Sequence, residues 1–203
     1  MNFLAHCFFA SANSQSVVGN LLGDFCKGLD LKALSPEVSV GLHNHRLVDK
    51  YTDSHPLIKQ AKKCFSPARR RFAGVAVDVL FDHYLIVHWQ RFSQQSYDEF
   101  KARTYQLLEQ GQPLMPKRMA AVMSSVVNND WFATYESLEG IGFALDRIAK
   151  RIRFENKFSG CIEDIEQHNT QLETLFLEYF PQLQLHVAKS NQADLDLLLK
   201  AKS

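Results

Sequence analysis

The fold turns on Val75-Ala76-Val77-Asp78-Val79-Leu80-Phe81-Asp82-His83-Tyr84-Leu85-Ile86-Val87. This stretch is apolar nearly all round, which marks a buried helix. Asp78 and Asp82 are four apart, so they lie on one face, one turn above the other. Two like charges at that spacing repel. Burying an unpaired carboxylate costs several kcal/mol or shifts its pKa until it neutralises. A cation must therefore sit opposite: an arginine, with Arg46 available, or a metal ion. This helix alone leaves the two equal. Its charges also exclude a membrane span.

Outward from this helix the punctuation is helical. Ser35-Pro36 and Ser66-Pro67 each read as an N-cap followed by proline at the first helical position. Ser96-Tyr97-Asp98-Glu99 is a capping box, and Ser54-His55-Pro56 and Met115-Pro116 mark two further starts. Between them the apolar spacing is three and four, as in Phe100, Leu107 and Leu108, or Leu172, Leu175, Phe176 and Tyr179. No Asn-Gly or Asp-Gly hairpin turn occurs, and no run alternates with period two. The expectation is an all-α, single-domain multi-helix bundle over residues 1–203, with about eight to ten helices. Glu163, Asp164 and Glu166 have surface spacing and read as a solvated face.

Composition agrees. The 203 residues are 46% hydrophobic and 22% charged, which excludes a disordered or fibrous chain. Lys+Arg 23 against Asp+Glu 22 leaves +1, so no global field advertises nucleic acid. Cys7, Cys26, Cys64 and Cys161 form no CxxC pair and read as free thiols of a reducing compartment. The first residues carry no basic segment of a secretory signal, so a cytoplasmic location is expected.

The chemistry-bearing residues gather in the first 83 positions. Gly41 to Asp53 falls within the helix opened by Pro36. There His45, Asp49 and Thr52-Asp53 follow the four-residue spacing, and Arg46, Asp49 and Asp53 run along a flanking line. An imidazole and a carboxylate one turn apart commonly present two ligands to one ion. A surface ion-pair ladder would explain Arg46 and the acids but not His43 and His45. In Gly19-Asn20-Leu21-Leu22-Gly23-Asp24-Phe25, Asn20 and Asp24 share a helix face, and the glycines suggest close backbone approach to another helix or a ligand. A plain helix crossing is the simpler account. His6 lies in an apolar N-terminal helix, where a lone histidine is more often a satisfied core residue. Imidazoles and carboxylates without a thiolate cluster suit Mn²⁺ or Mg²⁺, with Fe²⁺ or Zn²⁺ compatible. The chemistry implied is metal-assisted hydrolysis, with Arg46 placed to hold a phosphate oxygen.

Lys59, Lys62, Lys63, Arg69, Arg70 and Arg71 bracket a helix-to-helix turn with no acid among them. They are either a solubilising corner or a docking patch for an acidic partner. No aromatic ladder interleaves them, so single-stranded nucleic acid is not indicated.

Asn2-Phe3-Leu4-Ala5-His6, Gly19 through Phe25, His43-Asn44-His45-Arg46 through Asp49 to Thr52-Asp53, and Asp78 to Asp82-His83 together resemble the bacterial acyl carrier protein phosphodiesterase family. Trp131 and a Tyr179-Phe180-Pro181 turn fit too. The resemblance spans the full length. It implies a Mn²⁺-dependent enzyme that cuts the diester between the 4′-phosphopantetheine arm and a serine of holo-acyl carrier protein. It also implies an HD-domain-like fold, although the chain has no His-Asp dipeptide, only the reversed Asp82-His83. On this reading Asp24, His43, His45, Asp49, Asp82 and His83 form the ligand set. His6, Asn20, Arg46, Asp53 and Asp78 are the catalytic side chains around it. Lys62, Lys63, Arg69, Arg70 and Arg71 receive the acidic carrier. The competing readings are an HD-type nucleotide phosphohydrolase and a non-catalytic helical protein with structural ion pairs.

Overall fold

A computed structural model describes residues 1–200, with side chains to residue 191, so the last three residues of the expected domain lie outside the described residues. Among the described residues there are twelve α-helices and no strand. They are α1 (Phe3–Phe8), α2 (Ser14–Leu22), α3 (Pro36–Ser54), α4 (Pro56–Lys63), α5 (Ala73–Val87), α6 (Trp89–Phe92), α7 (Tyr97–Gly111), α8 (Lys117–Asn128), α9 (Trp131–Thr134), α10 (Leu138–Arg151), α11 (Ile162–Gln167) and α12 (Asn169–Lys200). The all-α expectation holds. The start signals undercount because α1, α6, α9 and α11 have only four to six residues, too short to show a period. No described helix is long and apolar enough to cross a membrane.

The caps explain most boundaries. Ser35 accepts from the Val38 N–H with Pro36 at the first position of α3. Ser96 and Glu99 close a reciprocal capping box on α7. His55 alone separates α3 from α4, and its Nδ1 accepts the Leu57 N–H. Ser66-Pro67 departs from expectation. It opens a turn and a short 3-10 segment at Arg70–Phe72, and α5 begins only at Ala73. The reason is a long-range competitor: the Ser66 N–H and hydroxyl both donate to the Asp164 carboxylate at 3.0 Å. Asp164 is accordingly buried, not part of a solvated face.

α5 is buried along most of its length, with Ala76, Val77 and every residue from Val79 to Leu85 inside. It packs on α12, where Phe81 and Tyr84 meet Phe176 at ring-centroid distances of 5.2 and 5.7 Å. The buried hydroxyls are satisfied: Tyr84 donates to Asn169 Oδ1 at 2.8 Å, and Tyr179 pairs with Thr52 Oγ1 at 2.6 Å. Tyr179-Phe180-Pro181 is not a turn but lies within α12. Pro181 forfeits one helical hydrogen bond, while buried Tyr179, Phe180 and Leu183 hold the helix on the core through it.

The crossing of α2 and α3 positions the site. Gly19 and Gly41 face each other so closely that a Cβ on Gly19 would lie 2.8 Å from Gly41 Cα. Only two glycines allow this approach. It brings Asn20 and Gly23 directly against His45.

Candidate active site

α1 is too short to persist alone. Asn2, at its N-cap, makes no side-chain cap bond. Asp82 supplies the cap from α5: its two oxygens accept the Leu4 and Ala5 N–H groups, each at 3.0 Å. Asp82 is fully buried, and burial pushes its pKa up to about 7 against the pull of those two bonds. Both oxygens are therefore spent on the backbone, and the next residue along is His6.

His6 stacks on His45 with centroids 4.0 Å apart and planes at 18°. The Nε2 atoms of His6 and His45 lie 3.2 and 3.0 Å from the two oxygens of Asp49. His45 and Asp49 are one turn apart on α3, as the spacing requires. The His45 Nδ1 lies 2.7 Å from the Asn20 carbonyl oxygen, so Nδ1–H donates there and the tautomer presents Nε2 to the cluster. The Asn20 side chain does not reach the cluster. Its amide donates to the Ser16 carbonyl at 2.9 Å and its Oδ1 accepts from Asn44 at 2.7 Å. Asn20 and Asn44 thus tie α2 to α3 behind His45.

The electrostatics follow from burial and contact. Burial drives the His6 pKa down to about 4, outweighing Asp49, so the ring is neutral near neutral pH. Burial also opposes the His45 cation, but the bond and charge of Asp49 prevail and raise its pKa. Asp49 resists its own burial through the adjoining His45 and His6 imidazoles and the Met1 ammonium, which hold it well below the usual carboxylate range. Asp78, half-buried on α5, lies 3.2 Å from the Met1 ammonium, which is also 3.4 Å from Asp49. The cation opposite Asp78 is thus this amino group and not Arg46. Arg46 is exposed and makes no ion pair among the described residues.

The remaining expected residues divide. Asp24 is exposed, near enough for the charges of His45, Asp49 and Asp78 to bear on it. His43 is exposed on α3, outside the cluster. Asp53 is exposed and lies 3.9 Å from Lys62. His83 Nδ1 bonds the Tyr135 carbonyl at 2.7 Å, anchoring the end of α9 instead of joining the cluster. In the basic corner, Arg69 is committed to Glu163 at 2.9 Å and Asp164 at 3.3 Å, and Arg70 donates to the Phe65 carbonyl at 3.3 Å. Arg71 lies over the Phe154 ring at 4.8 Å, and Lys63 is exposed. The cap from Asp82, the Met1 pairing and the Asn44 tie were not read from the sequence. Only Asn44 carried a signal, as the residue between two candidate histidines.

A divalent cation fits this donor set. One atom each of His6, His45 and Asp49 lie within 4.8 Å of one another. Both His6 ring nitrogens are buried without a hydrogen bond; Nε2 is near Asp49 but not in hydrogen-bond geometry. A buried imidazole orphaned at both nitrogens beside another imidazole and a carboxylate is an arrangement that a metal ion would complete.

Two imidazoles and a carboxylate converging where α1 and α3 meet define a helical protein with a histidine–carboxylate centre. Residues 1–183 match the family described as acyl carrier protein phosphodiesterase, and the chain belongs to that family. Proteins named acyl carrier protein phosphodiesterase from Pectobacterium atrosepticum and Yersinia enterocolitica are 35% and 36% identical to it. The alignments cover 95% and 89% of this chain and 100% and 94% of theirs. One of the same name from Escherichia coli O157:H7 is 30% identical over 93% of this chain and 98% of its own. No solved structure matches.

Proposed function

We propose that this chain hydrolyses the phosphodiester joining 4′-phosphopantetheine to the serine of holo-acyl carrier protein, giving the apo protein and 4′-phosphopantetheine. The convergence of His6, His45 and Asp49 carries the reading, and the names of the relatives support the substrate. His6, His45 and Asp49 would hold a divalent cation, Mn²⁺ first, with Mg²⁺ or Fe²⁺ as alternatives. When bound, such an ion neutralises charge on a phosphoryl oxygen and makes a water more acidic.

The chain's own residues do the rest. Asn20 fixes the His45 ring through its carbonyl, and Asp82 fixes His6 through the first turn of α1. Asp78, half-buried, is held above the ordinary carboxylate pKa, first by burial, so it can take and return a proton nearer neutral pH, and Asp24 stands exposed at the edge of the cluster. Arg46, exposed beside His45 on α3, is available to a non-bridging phosphate oxygen. The test is incubation with holo-acyl carrier protein and Mn²⁺, with intact mass reporting loss of the arm. The expected result is apo protein from the wild type and none from Asp49→Ala. Turnover by Asp49→Ala, or none by the wild type with any of the three metals, would overturn the reading.

A further inference from the structure

We propose that the outer face of α10, with the groove it forms against Trp131, is the surface that docks the acidic carrier protein. The identity of the partner rests on the function proposed above. The surface rests on the exposed side chains of α10 and their unpaired charge.

α10 is amphipathic, burying Ile141, Leu145 and Ala149. Phe143, Arg147, Lys150 and Arg151 follow spacings of three and four on the opposite face, and all four are exposed. Phe143 is 59% exposed, unusual for a phenylalanine with a core beside it. Arg147 and Arg151 line a shallow groove with Trp131 and Ile148. The Arg147 guanidinium lies over both Trp131, at 5.9 Å, and Phe143, at 5.7 Å. The Trp131 Nε1 is buried behind this wall with no acceptor, so only the ring face is offered to the groove.

Charge supports the same face. Among the described residues, Arg147, Lys150, Arg151, Arg153 and Lys157 are exposed and in no ion pair. Asp146, just before this run, is turned to the Ser159 hydroxyl and the Gly160 N–H, which leaves Glu155 as the one exposed acid among these five cations. In the corner at Lys62 to Arg71, Arg69 is consumed by Glu163 and Asp164, and Lys62 lies 3.9 Å from Asp53. Lys63, Arg70 and Arg71 are exposed there and in no ion pair among the described residues, but the groove beside Arg71 is less apolar than that of α10.

The N-terminal residues through α1 link the wall of the groove to the candidate active site. Phe3 stacks on Trp131 at 6.3 Å, and Asn2 donates to the Tyr135 hydroxyl at 3.2 Å. The preceding residue, Met1, is the one whose ammonium lies between Asp49 and Asp78. A carrier docked on α10 would set apolar side chains against Phe143 and Trp131 and carboxylates on the arginines, with its prosthetic arm directed past the N-terminal residues toward the cluster.

The test compares the triple variant Arg147→Glu, Lys150→Glu, Arg151→Glu with wild type and with a charge control, Lys117→Glu, Arg118→Glu. Lys117 and Arg118 are exposed at the start of α8, about 16 Å along that helix from its end near α9. The triple variant should raise KM for holo-acyl carrier protein by about tenfold or more and lose most of its salt dependence, with kcat changed far less. Phe143→Ala should raise KM in the same direction, and the control should not. All altered positions are exposed, and a thermal melt checks that the variants fold. Binding of fluorescently labelled holo-carrier to the Asp49→Ala protein, with and without the triple change, is read separately. If wild type cleaves the carrier and the triple variant keeps its KM, the docking surface is wrong and the activity stands. If wild type cleaves nothing, the activity is wrong, and binding decides: loss on charge reversal upholds the surface. Unaltered or absent binding overturns it.

Discussion

Gly23→Ala separates the geometry of the site from the stability of the fold. A Cβ at position 23 would overlap the His45 ring. That ring cannot retreat freely. His6 stacks on it at 4.0 Å, its Nδ1 is held by the Asn20 carbonyl at 2.7 Å, and its Nε2 is 3.0 Å from Asp49. Ordinary contact distance requires a displacement of about 1.5 Å, and a misplacement of even about 1 Å in a catalytic constellation costs about 10²-fold in rate. Breaking the bond to Asn20 costs about 1 kcal/mol of stability. Gly23 has φ −51° and ψ −40°, a conformation alanine adopts without strain. Reduced freedom of the unfolded chain therefore returns about 0.4–1 kcal/mol. The two nearly cancel, and overpacking against the held ring adds about 1–3 kcal/mol. The expected outcome is a protein that still folds with a moderately lowered melting temperature, a loss of about 10²-fold in kcat/KM on holo-acyl carrier protein, and weaker Mn²⁺ binding measured by titration. Gly19→Ala is the contrast, because its Cβ meets the backbone of α3 and should lower the melting temperature first. A folded Gly23→Ala protein within about threefold of wild-type kcat/KM would refute the placement of His45 in the reacting centre.

Chelation should abolish turnover, and Mn²⁺ should restore it; full activity after dialysis against excess chelator would exclude the ion. Asp82→Ala should destabilise the fold by about 2–5 kcal/mol, because two buried N–H groups of α1 lose their acceptor, and activity should fall with it; an unchanged melt would show that α1 is held otherwise. In metal-free protein, His6 has a folded pKa of about 4 against an ordinary 6.5. The unfolded chain therefore binds the proton first, and stability is lost as pH falls from 6.5 toward 4, by on the order of 3 kcal/mol at most. His6→Gln should flatten that limb of a denaturation-against-pH curve, and an unaltered slope would show that the ring is not buried neutral. Arg69→Ala should lower the melting temperature without a specific effect on KM, because Asp164 stays buried with one partner fewer; a stable variant with raised KM would return Arg69 to the docking surface.

Much of the fold was legible because its signals are local. Ser35-Pro36 and the Ser96–Glu99 box act within four residues, and both caps form as the sequence reads. The apolar girth of Val75 to Val87 marked the buried helix, and His45 with Asp49 shared a face because helical geometry requires it. The errors came from distance in sequence. Ser66 has the chemistry of a cap, but Asp164, ninety-eight positions away, takes its hydroxyl. Asp164 looked like a surface charge for the converse reason. Tyr179-Phe180-Pro181 looked like a turn because proline breaks isolated helices, whereas packing by Phe176, Phe180 and Leu183 carries α12 through it.

The carboxylates show where such reasoning reaches its physical limit. Burial demands that each charge find a partner, and this much follows from the sequence. It does not say which kind. Asp82 found two backbone N–H groups, Asp78 an ammonium, Asp164 a serine and an arginine, and Asp49 two imidazoles. The first three partners are satisfied by the pairing itself. Amide, ammonium and guanidinium groups are donors only, so once paired with a carboxylate they have no lone pair to offer. An imidazole differs, because each neutral ring keeps one nitrogen that accepts. His45 has its Nδ1 fixed by Asn20, and His6 has neither nitrogen in a hydrogen bond. Asp49 is thus the one carboxylate of these four whose partners offer unspent imidazole lone pairs, and a cation is the species that uses them. Asp78 and Asp82 were equally good candidates from spacing alone. The chemistry of the partner, not of the acid, separates the centre from its scaffold.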